Sequence, residues 1–140
     1  MYLDSAIIIK LLVEEPDSKF FHDAVVDASV SSSQLAYAEV KSALLAKERG
    51  RLILKTAQIS AWELFCAKLN DDSLLLHDLD YAAYAKAVHI LEICHPKVAL
   101  RTLDAIHLAA CDLSQDFPLC TSDKRMREAA KILHIPVFPE

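Results

Sequence analysis

The sequence predicts an α/β fold in which helices cover both faces of a parallel sheet. Short apolar segments alternate along the chain with longer segments of helical periodicity. Most of the predicted strands are apolar throughout, which is typical of strands buried on both faces. With 140 residues, 54% of them hydrophobic, the chain is long enough to bury a core. We therefore expect one domain over residues 1–140.

The first half of the chain predicts two strands and four helices. They are a strand at 1–3, helices at 5–15 and 17–28, a strand at 29–33, and helices at 34–50 and 51–69. Pro16 ends the first helix, and Asp17 or Ser18 caps the second. The strand at 29–33 is weak because it consists mostly of serine. Gly50 is the predicted C-terminal stop of the helix at 34–50.

The second half predicts three more strands and three more helices. They are a buried strand at 73–79, helices at 81–93 and 100–114, a strand at 117–121, a helix at 123–135 and a strand at 136–138. Pro96 separates the first two of these helices. Strands and helices therefore alternate to the end of the chain, as a parallel sheet requires.

Composition excludes several classes of function. Gly50 is the single glycine, so glycine-rich phosphate loops and dinucleotide fingerprints are absent. The net charge of -5 does not suit a protein that coats duplex nucleic acid. The four cysteines form no CxxC pair and are expected to be reduced. Without a long apolar run or a secretory signal pattern, we expect a soluble, cytoplasmic protein with no membrane contact.

Two acids follow predicted strands directly. Asp4 follows the first strand, and Asp123 follows the strand at 117–121. The carboxyl ends of parallel strands are where α/β folds place their functional groups. Taken singly, each acid is also explained as a helix N-cap.

Two further acids lie on apolar faces of predicted helices. Glu39 falls on a stripe of small and apolar residues, away from the face that carries Lys41. Asp104 has leucine at positions i−4 and i+4. Ion pairs with Arg101 or His107 on the same helix would be an ordinary explanation for Asp104.

One divalent cation would account for all four acids together. Carboxylate oxygens suit Mg²⁺ or Mn²⁺, and such an ion removes the repulsion among the carboxylates. It also activates water and stabilises charge on a phosphate. The residues alone therefore indicate a metal-dependent phosphoryl-transfer or phosphodiesterase centre.

Four segments resemble the PIN domain, and within it the VapC-type toxins of type II toxin–antitoxin systems. They are MYLDSAIIIKLL, LAYAEVKSAL, LRTLDAIHLAA and CTSDKRMREAAKILHIPVF. The similarity spans nearly the whole chain in the right order, although residues 52–95 are less diagnostic. Ser122 stands where many relatives have a larger polar or basic residue, which leaves the acids intact.

The resemblance implies a Rossmann-like, three-layer α/β/α sandwich with a short-stranded, mainly parallel sheet. It implies an Mg²⁺- or Mn²⁺-dependent endoribonuclease that forms a homodimer and is neutralised by a cognate antitoxin. Carried over residue by residue, the catalytic and metal-binding acids are Asp4, Glu39, Asp104 and Asp123. Ser5 and Thr121 would support them by hydrogen bonding.

Other residues have two interpretations each. Arg101, Lys124 and Arg127 are candidate contacts to RNA phosphates, or part of a solvated, ion-paired surface. His107 and Cys111 have a spacing that could hold zinc, but a hydrogen-bonded histidine and a core cysteine are favoured. Trp62 is favoured as a core or subunit contact over a base-stacking platform.

Alternatives to a toxin nuclease remain at this point. A PIN-domain ribonuclease in RNA processing or quality control would carry the same acids. A PIN-fold binding module without catalysis is disfavoured because all four acids are present. A receiver-like signalling domain is disfavoured because Asp4 is not followed by a second acid.

Overall fold

A computed structural model describes all residues, 1–140, as seven helices and five strands. The strands are β1 (Tyr2–Leu3), β2 (Ser31–Ser33), β3 (Leu75–His77), β4 (Leu119–Cys120) and β5 (Val137–Phe138). The helices are α1 (Ser5–Leu12), α2 (Ser18–Val25), α3 (Leu35–Arg49), α4 (Lys55–Asn70), α5 (Tyr81–Cys94), α6 (Thr102–Ser114) and α7 (Lys124–Ile132). None of the helices has the length and apolar character that crossing a membrane requires.

The five strands form one sheet in the order β3-β2-β1-β4-β5, and every neighbouring pair is parallel. The central strand β1 pairs with β2 on one side and with β4 on the other. The residues that follow β1 and β4 therefore emerge side by side at the carboxyl edge of the sheet. The predicted parallel sheet is confirmed.

The two faces of the sheet carry separate hydrophobic cores. In β1, Tyr2 packs into the core formed with α5, α6 and α7, whereas Leu3 packs into the core formed with α1 to α4. In β4, Leu119 and Cys120 divide in the same way. Alternate residues of a strand point to opposite faces, so two residues suffice to join both cores. This is the predicted three-layer α/β/α arrangement.

Strand β2 is buried although it consists of three serines. The Ser31 hydroxyl donates to Asp116 at 2.6 Å, and the Ser32 hydroxyl donates to the backbone carbonyl of Leu3 at 2.8 Å. The Ser33 hydroxyl is buried without a hydrogen-bond partner. Side-chain hydrogen bonds thus take the place of apolar packing at Ser31 and Ser32.

Some predicted elements differ in burial or in their ends. The segment at 73–79 was predicted to be a buried strand, but β3 lies at the edge of the sheet and Leu75 is 50% exposed. Helix α4 begins at Lys55 rather than at 51 because residues 51–54 complete the end of α3. Arg51 adopts the left-handed conformation at φ 58°, and the Leu52 amide donates back to Lys47 at 2.9 Å. This is a Schellman motif with arginine where glycine is usual.

Candidate active site

Asp4 lies at the end of the central strand and is almost completely buried. Its side chain is the N-cap of α1, where Oδ1 accepts a hydrogen bond from the Ile7 amide at 2.8 Å. The Thr121 hydroxyl donates to Oδ2. Burial raises the pKa of Asp4 in spite of these bonds, and the charge of Asp123 raises it further. The cap explanation is therefore correct, but it does not remove the cost of the buried charge.

Asp123 caps α7 beside the end of β4. Its Oδ1 accepts hydrogen bonds from the amides of Arg125 at 2.7 Å and Met126 at 3.1 Å. Its own amide donates to the Thr121 hydroxyl at 3.1 Å. Thr121 therefore links Asp4 to Asp123, and Ser5 and Thr121 each donate a hydrogen bond to one of the four acids.

Asp104 is only half-buried, because it lies in the first turn of α6 rather than on its inner face. Its Oδ2 accepts a hydrogen bond from the Arg101 amide at 3.3 Å. Burial raises the pKa of Asp104, and the charge of Asp123 raises it further, against the effect of Arg101 and Arg125. Arg101 and His107 were the two suggested partners of Asp104. Arg101 contributes its backbone amide and a favourable charge, whereas His107 is bound to Glu39.

Glu39 is held by a buried histidine. Oε2 of Glu39 lies 2.7 Å from Nε2 of His107, and the Ser5 hydroxyl donates to the same oxygen. Partial burial raises the pKa of Glu39, but hydrogen bonds from His107 and Ser5 outweigh it, and the pKa is lowered. Nδ1 of His107 lies 2.9 Å from the Tyr2 hydroxyl. Tyr2 was not among the predicted site residues, although strand periodicity places it on the same side of the chain as Asp4.

The zinc alternative at His107 and Cys111 finds no support. Both ring nitrogens of His107 already have hydrogen-bond partners, so neither is free to bind a metal. Burial raises the pKa of Cys111 to about 12, which keeps it a thiol at neutral pH. The favoured interpretation, a hydrogen-bonded histidine and a core cysteine, agrees with these contacts.

The basic residues near the acids differ in their roles. Arg101 and Lys124 are exposed. Arg127 donates to the backbone carbonyls of Thr121 at 3.2 Å and Pro139 at 2.6 Å, so an RNA contact by Arg127 would compete with these bonds. Arg125, which was not predicted, lies 3.8 Å from Asp123. The sequence offers no signal that separates Arg125 from its basic neighbours on α7.

The donor set suits a hard divalent cation. We call Asp4, Asp104 and Asp123 the carboxylate group, because the charge of Asp123 raises the pKa of both others. No group of three or more His, Cys, Asp or Glu side chains could by itself hold an ion, and Glu39 is bound to His107 instead. Mg²⁺ commonly takes one or two protein carboxylates and keeps water or substrate phosphate in its other positions. The chemistry of the residues therefore fits such an ion without a closed protein cage.

Comparison with known proteins identifies the family. The sequence model of the PIN domain matches residues 1–132. The chain belongs to the PIN domain family. Ribonuclease VapC46 of Mycobacterium tuberculosis is 38% identical over 141 residues, which covers 99% of this chain and 95% of that protein. This PIN domain is therefore of the VapC type.

A solved structure supports the fold independently. A chain of a toxin–antitoxin complex from Klebsiella pneumoniae aligns with a TM-score of 0.62 over 89% of this chain and 88% of that chain, at 17% identity. At that identity the similarity concerns the fold alone. PIN-domain ribonucleases are generally dependent on divalent metals, which agrees with the carboxylate group described above.

Proposed function

We propose that this PIN domain, residues 1–140, is an endoribonuclease that depends on Mg²⁺ or Mn²⁺ and acts as the toxin of a VapBC-type pair. The 38% identity with Ribonuclease VapC46 over nearly the whole chain carries the proposal. The carboxylate group supports it, because the charge of Asp123 raises the pKa of both Asp4 and Asp104, and a cation stabilises carboxylates that repel one another.

Asp4 and Asp123 are the acids best placed to hold the cation. Both are fixed by amides at the start of a helix, and Thr121 connects them. When bound, the cation would neutralise these carboxylates, activate a water and stabilise charge on the phosphodiester. Asp104 and Glu39 each keep one carboxylate oxygen without a protein hydrogen bond, so each has an oxygen available to the ion or to its waters.

The chain's own residues would orient the RNA and the carboxylates. Arg101 and Lys124 are exposed beside the acids and suit contacts to the phosphate backbone, which position a substrate without reading its sequence. Arg125, near Asp123 and Asp104, is a further candidate for such a contact. The contact proposed for Arg127 is less favoured because its guanidinium is bound to the backbone.

A cognate antitoxin and a second copy of the chain are the proposed partners, and the cytoplasm is the proposed location. The 38% identity with a VapC ribonuclease favours the antitoxin. A PIN-domain ribonuclease of RNA processing is the alternative. A short antitoxin reading frame next to the gene would favour the toxin.

The activity is tested with Asp104→Asn on total RNA, with Mg²⁺ and with EDTA. Wild type should cleave with Mg²⁺ alone, and Asp104→Asn should lose at least about 100-fold of that rate, as expected for a group that acts on the transition state. Asp112→Asn is the matched control, because Asp112 lies on the same helix and pairs with Lys86. Equal cleavage by wild type in EDTA, or by Asp104→Asn, would refute the metal-dependent assignment.

The toxin role needs a separate test in cells. Expression of wild type should arrest growth, and Asp104→Asn should not, although both proteins accumulate equally. Co-expression of the neighbouring reading frame should restore growth. Normal growth with active wild-type protein would favour RNA processing instead.

A further inference from the structure

We propose that His107 is a positioning residue for Glu39, with its ring held in place by the hydroxyl of Tyr2. This inference rests on the nuclease function proposed above and extends it to residues outside the four acids. His107 touches neither substrate nor ion in this proposal; it acts through the carboxylate that it binds.

His107 is built into the core and is 3% exposed. Its Nε2 lies 2.7 Å from Oε2 of Glu39, and the Ser5 hydroxyl donates to the same oxygen. Both bonds fall on Oε2, so Oε1 accepts no hydrogen bond from the protein. One oxygen of Glu39 is thus anchored while the other stays available, which is how a carboxylate is oriented toward a ligand.

The Tyr2 hydroxyl binds the ring on the side away from Glu39. It lies 2.9 Å from Nδ1 of His107 in the core. A carboxylate only accepts hydrogen bonds, so Nε2 of His107 must carry the proton that it donates to Glu39. In a neutral ring Nδ1 is then the acceptor, and the Tyr2 hydroxyl, which can donate or accept, donates to it. The edge-on packing of the two rings, 5.9 Å apart, also fixes the orientation of the imidazole.

Without this arrangement Glu39 would be free to move. It is half-buried on α3, and its contacts from His107 and Ser5 come from α6 and α1. A glutamate that lacks such partners samples several rotamers, and loss of a partner that orients a metal ligand typically costs 10–100-fold in metal affinity or activity. Tyr2, His107 and Ser5 therefore connect the sheet and two helices to the position of one carboxylate.

The test compares His107→Ala with His107→Gln, whose amide can donate from nearly the position of Nε2. His107→Ala should lower the Mn²⁺ affinity of the RNA-free protein, measured by electron paramagnetic resonance, or the kcat for RNA by about 10–100-fold. His107→Gln should recover most of the loss. Cys111→Ala, one turn along the same buried face, controls for lost packing and should stay within about twofold in both measurements.

A double-mutant cycle separates positioning from a structural effect. If His107 acts through Glu39, His107→Ala should cause no further loss in a Glu39→Gln background. Equal losses in both backgrounds would overturn the proposal. Should His107→Ala fail to fold, Tyr2→Phe replaces it: it should lower kcat several-fold in wild type and have no effect beside Glu39→Gln.

The tautomer is read directly from the ¹⁵N shifts of the imidazole in the metal-free wild type. A proton on Nε2 is expected, and a neutral ring protonated on Nδ1 would overturn the proposal. Failure of the proposed function looks different: wild type would neither bind Mn²⁺ nor cleave RNA. An active wild type with an equally active His107→Ala would overturn the positioning role alone.

Discussion

Replacing Asp4 with asparagine should stabilise the metal-free protein while abolishing cleavage. Asparagine is nearly isosteric, it is also a good N-cap, and its amide can donate to the Thr121 hydroxyl. The variant therefore keeps the shape and the hydrogen bonds of the site and removes one buried charge. Loss of an acid proposed to hold the cation removes cleavage in the same protein.

The magnitude follows from the contacts of Asp4. Its two hydrogen bonds are worth about 1–1.5 kcal/mol more each to a carboxylate than to a neutral amide, or about 2–3 kcal/mol in total. The N-terminus of α1 adds about 0.3–1 kcal/mol. Against this, burying a carboxylate costs several kcal/mol, and Asp123 repels it. Because the pKa of Asp4 is raised, the costs of burial and repulsion exceed the stabilisation by the hydrogen bonds and the helix. We therefore expect Asp4→Asn to raise the free energy of unfolding by about 1 kcal/mol.

Thermal and urea unfolding in EDTA measure the effect. A gain of about 1 kcal/mol corresponds to a rise in Tm of about 3–5 °C for a domain of this size. A raised pKa means that the folded state binds the proton more tightly than the unfolded chain. The advantage of Asp4→Asn should therefore be greatest at neutral pH and should shrink as the pH falls through the raised pKa toward the unfolded value of about 3.9.

Added Mn²⁺ should reverse the order of stability. At about 100 times its Kd, the ion should stabilise wild type by about 2.7 kcal/mol and the variant by much less. Asp112→Asn, which removes a carboxylate paired with Lys86, should respond to Mn²⁺ as wild type does. A metal-free Asp4→Asn protein that is less stable than wild type at pH 7 would refute the reasoning, because the protein alone would then satisfy the charge.

Three further predictions concern stability outside the site. Burial raises the pKa of Glu15, but Lys47 at 2.7 Å and Lys10 at 3.2 Å outweigh this effect, so the pKa is lowered. Glu15→Gln should therefore lower the free energy of unfolding in urea by about 1 kcal/mol at pH 7. That cost should shrink as the pH falls from the unfolded pKa of about 4.3 through the lowered folded pKa, and an equal cost at pH 3 would contradict the ion-pair explanation. Arg51→Gly should raise the free energy of unfolding by about 1 kcal/mol, because glycine adopts the left-handed conformation without the steric cost that a side chain has there. A lower Tm in thermal unfolding would contradict this. Asp116→Ala should cost about 1–3 kcal/mol in urea unfolding because it leaves the buried Ser31 hydroxyl unpaired, and an unchanged midpoint would argue against that bond.

The sequence predicted the sheet and the helices well because their signals are local. Apolar runs and the caps at Asp4 and Asp123 act within a few residues of themselves, whereas Pro16 does not mark the end of the first helix, because α1 ends at Leu12. The placement of β3 at the edge depends instead on the pairing order of all five strands, which no local pattern contains. The start of α4 was misplaced because Arg51, rather than Gly50, takes the left-handed conformation.

The four acids were predicted from their positions along the chain, and Ser5 and Thr121 were predicted to support them without the acid that each would bind. Glu39 binds His107 across 68 residues, and Thr121 binds Asp4 across 117. Such contacts depend on how helices dock on the sheet and on which rotamers fit there. Asp104 was expected to point inward because of its apolar neighbours, yet its place in the first turn of α6 leaves it half-exposed. Helical periodicity identifies which face of a helix is buried, but it does not indicate how deeply the residues at the ends of that face are buried.

The three buried serines of β2 have a consequence for local unfolding. Beyond them the sheet ends in β3, whose Leu75 is half-exposed, so the β2–β3 side lacks the apolar burial that holds β1 and β4. Regions with little apolar burial open at lower free energy than the rest of a domain. In hydrogen exchange, we expect the amides of β2 and β3 to exchange before those of β1 and β4. Since α3 begins just after β2, such an opening would carry Glu39 away from His107 while Asp4 and Asp123 stayed in place.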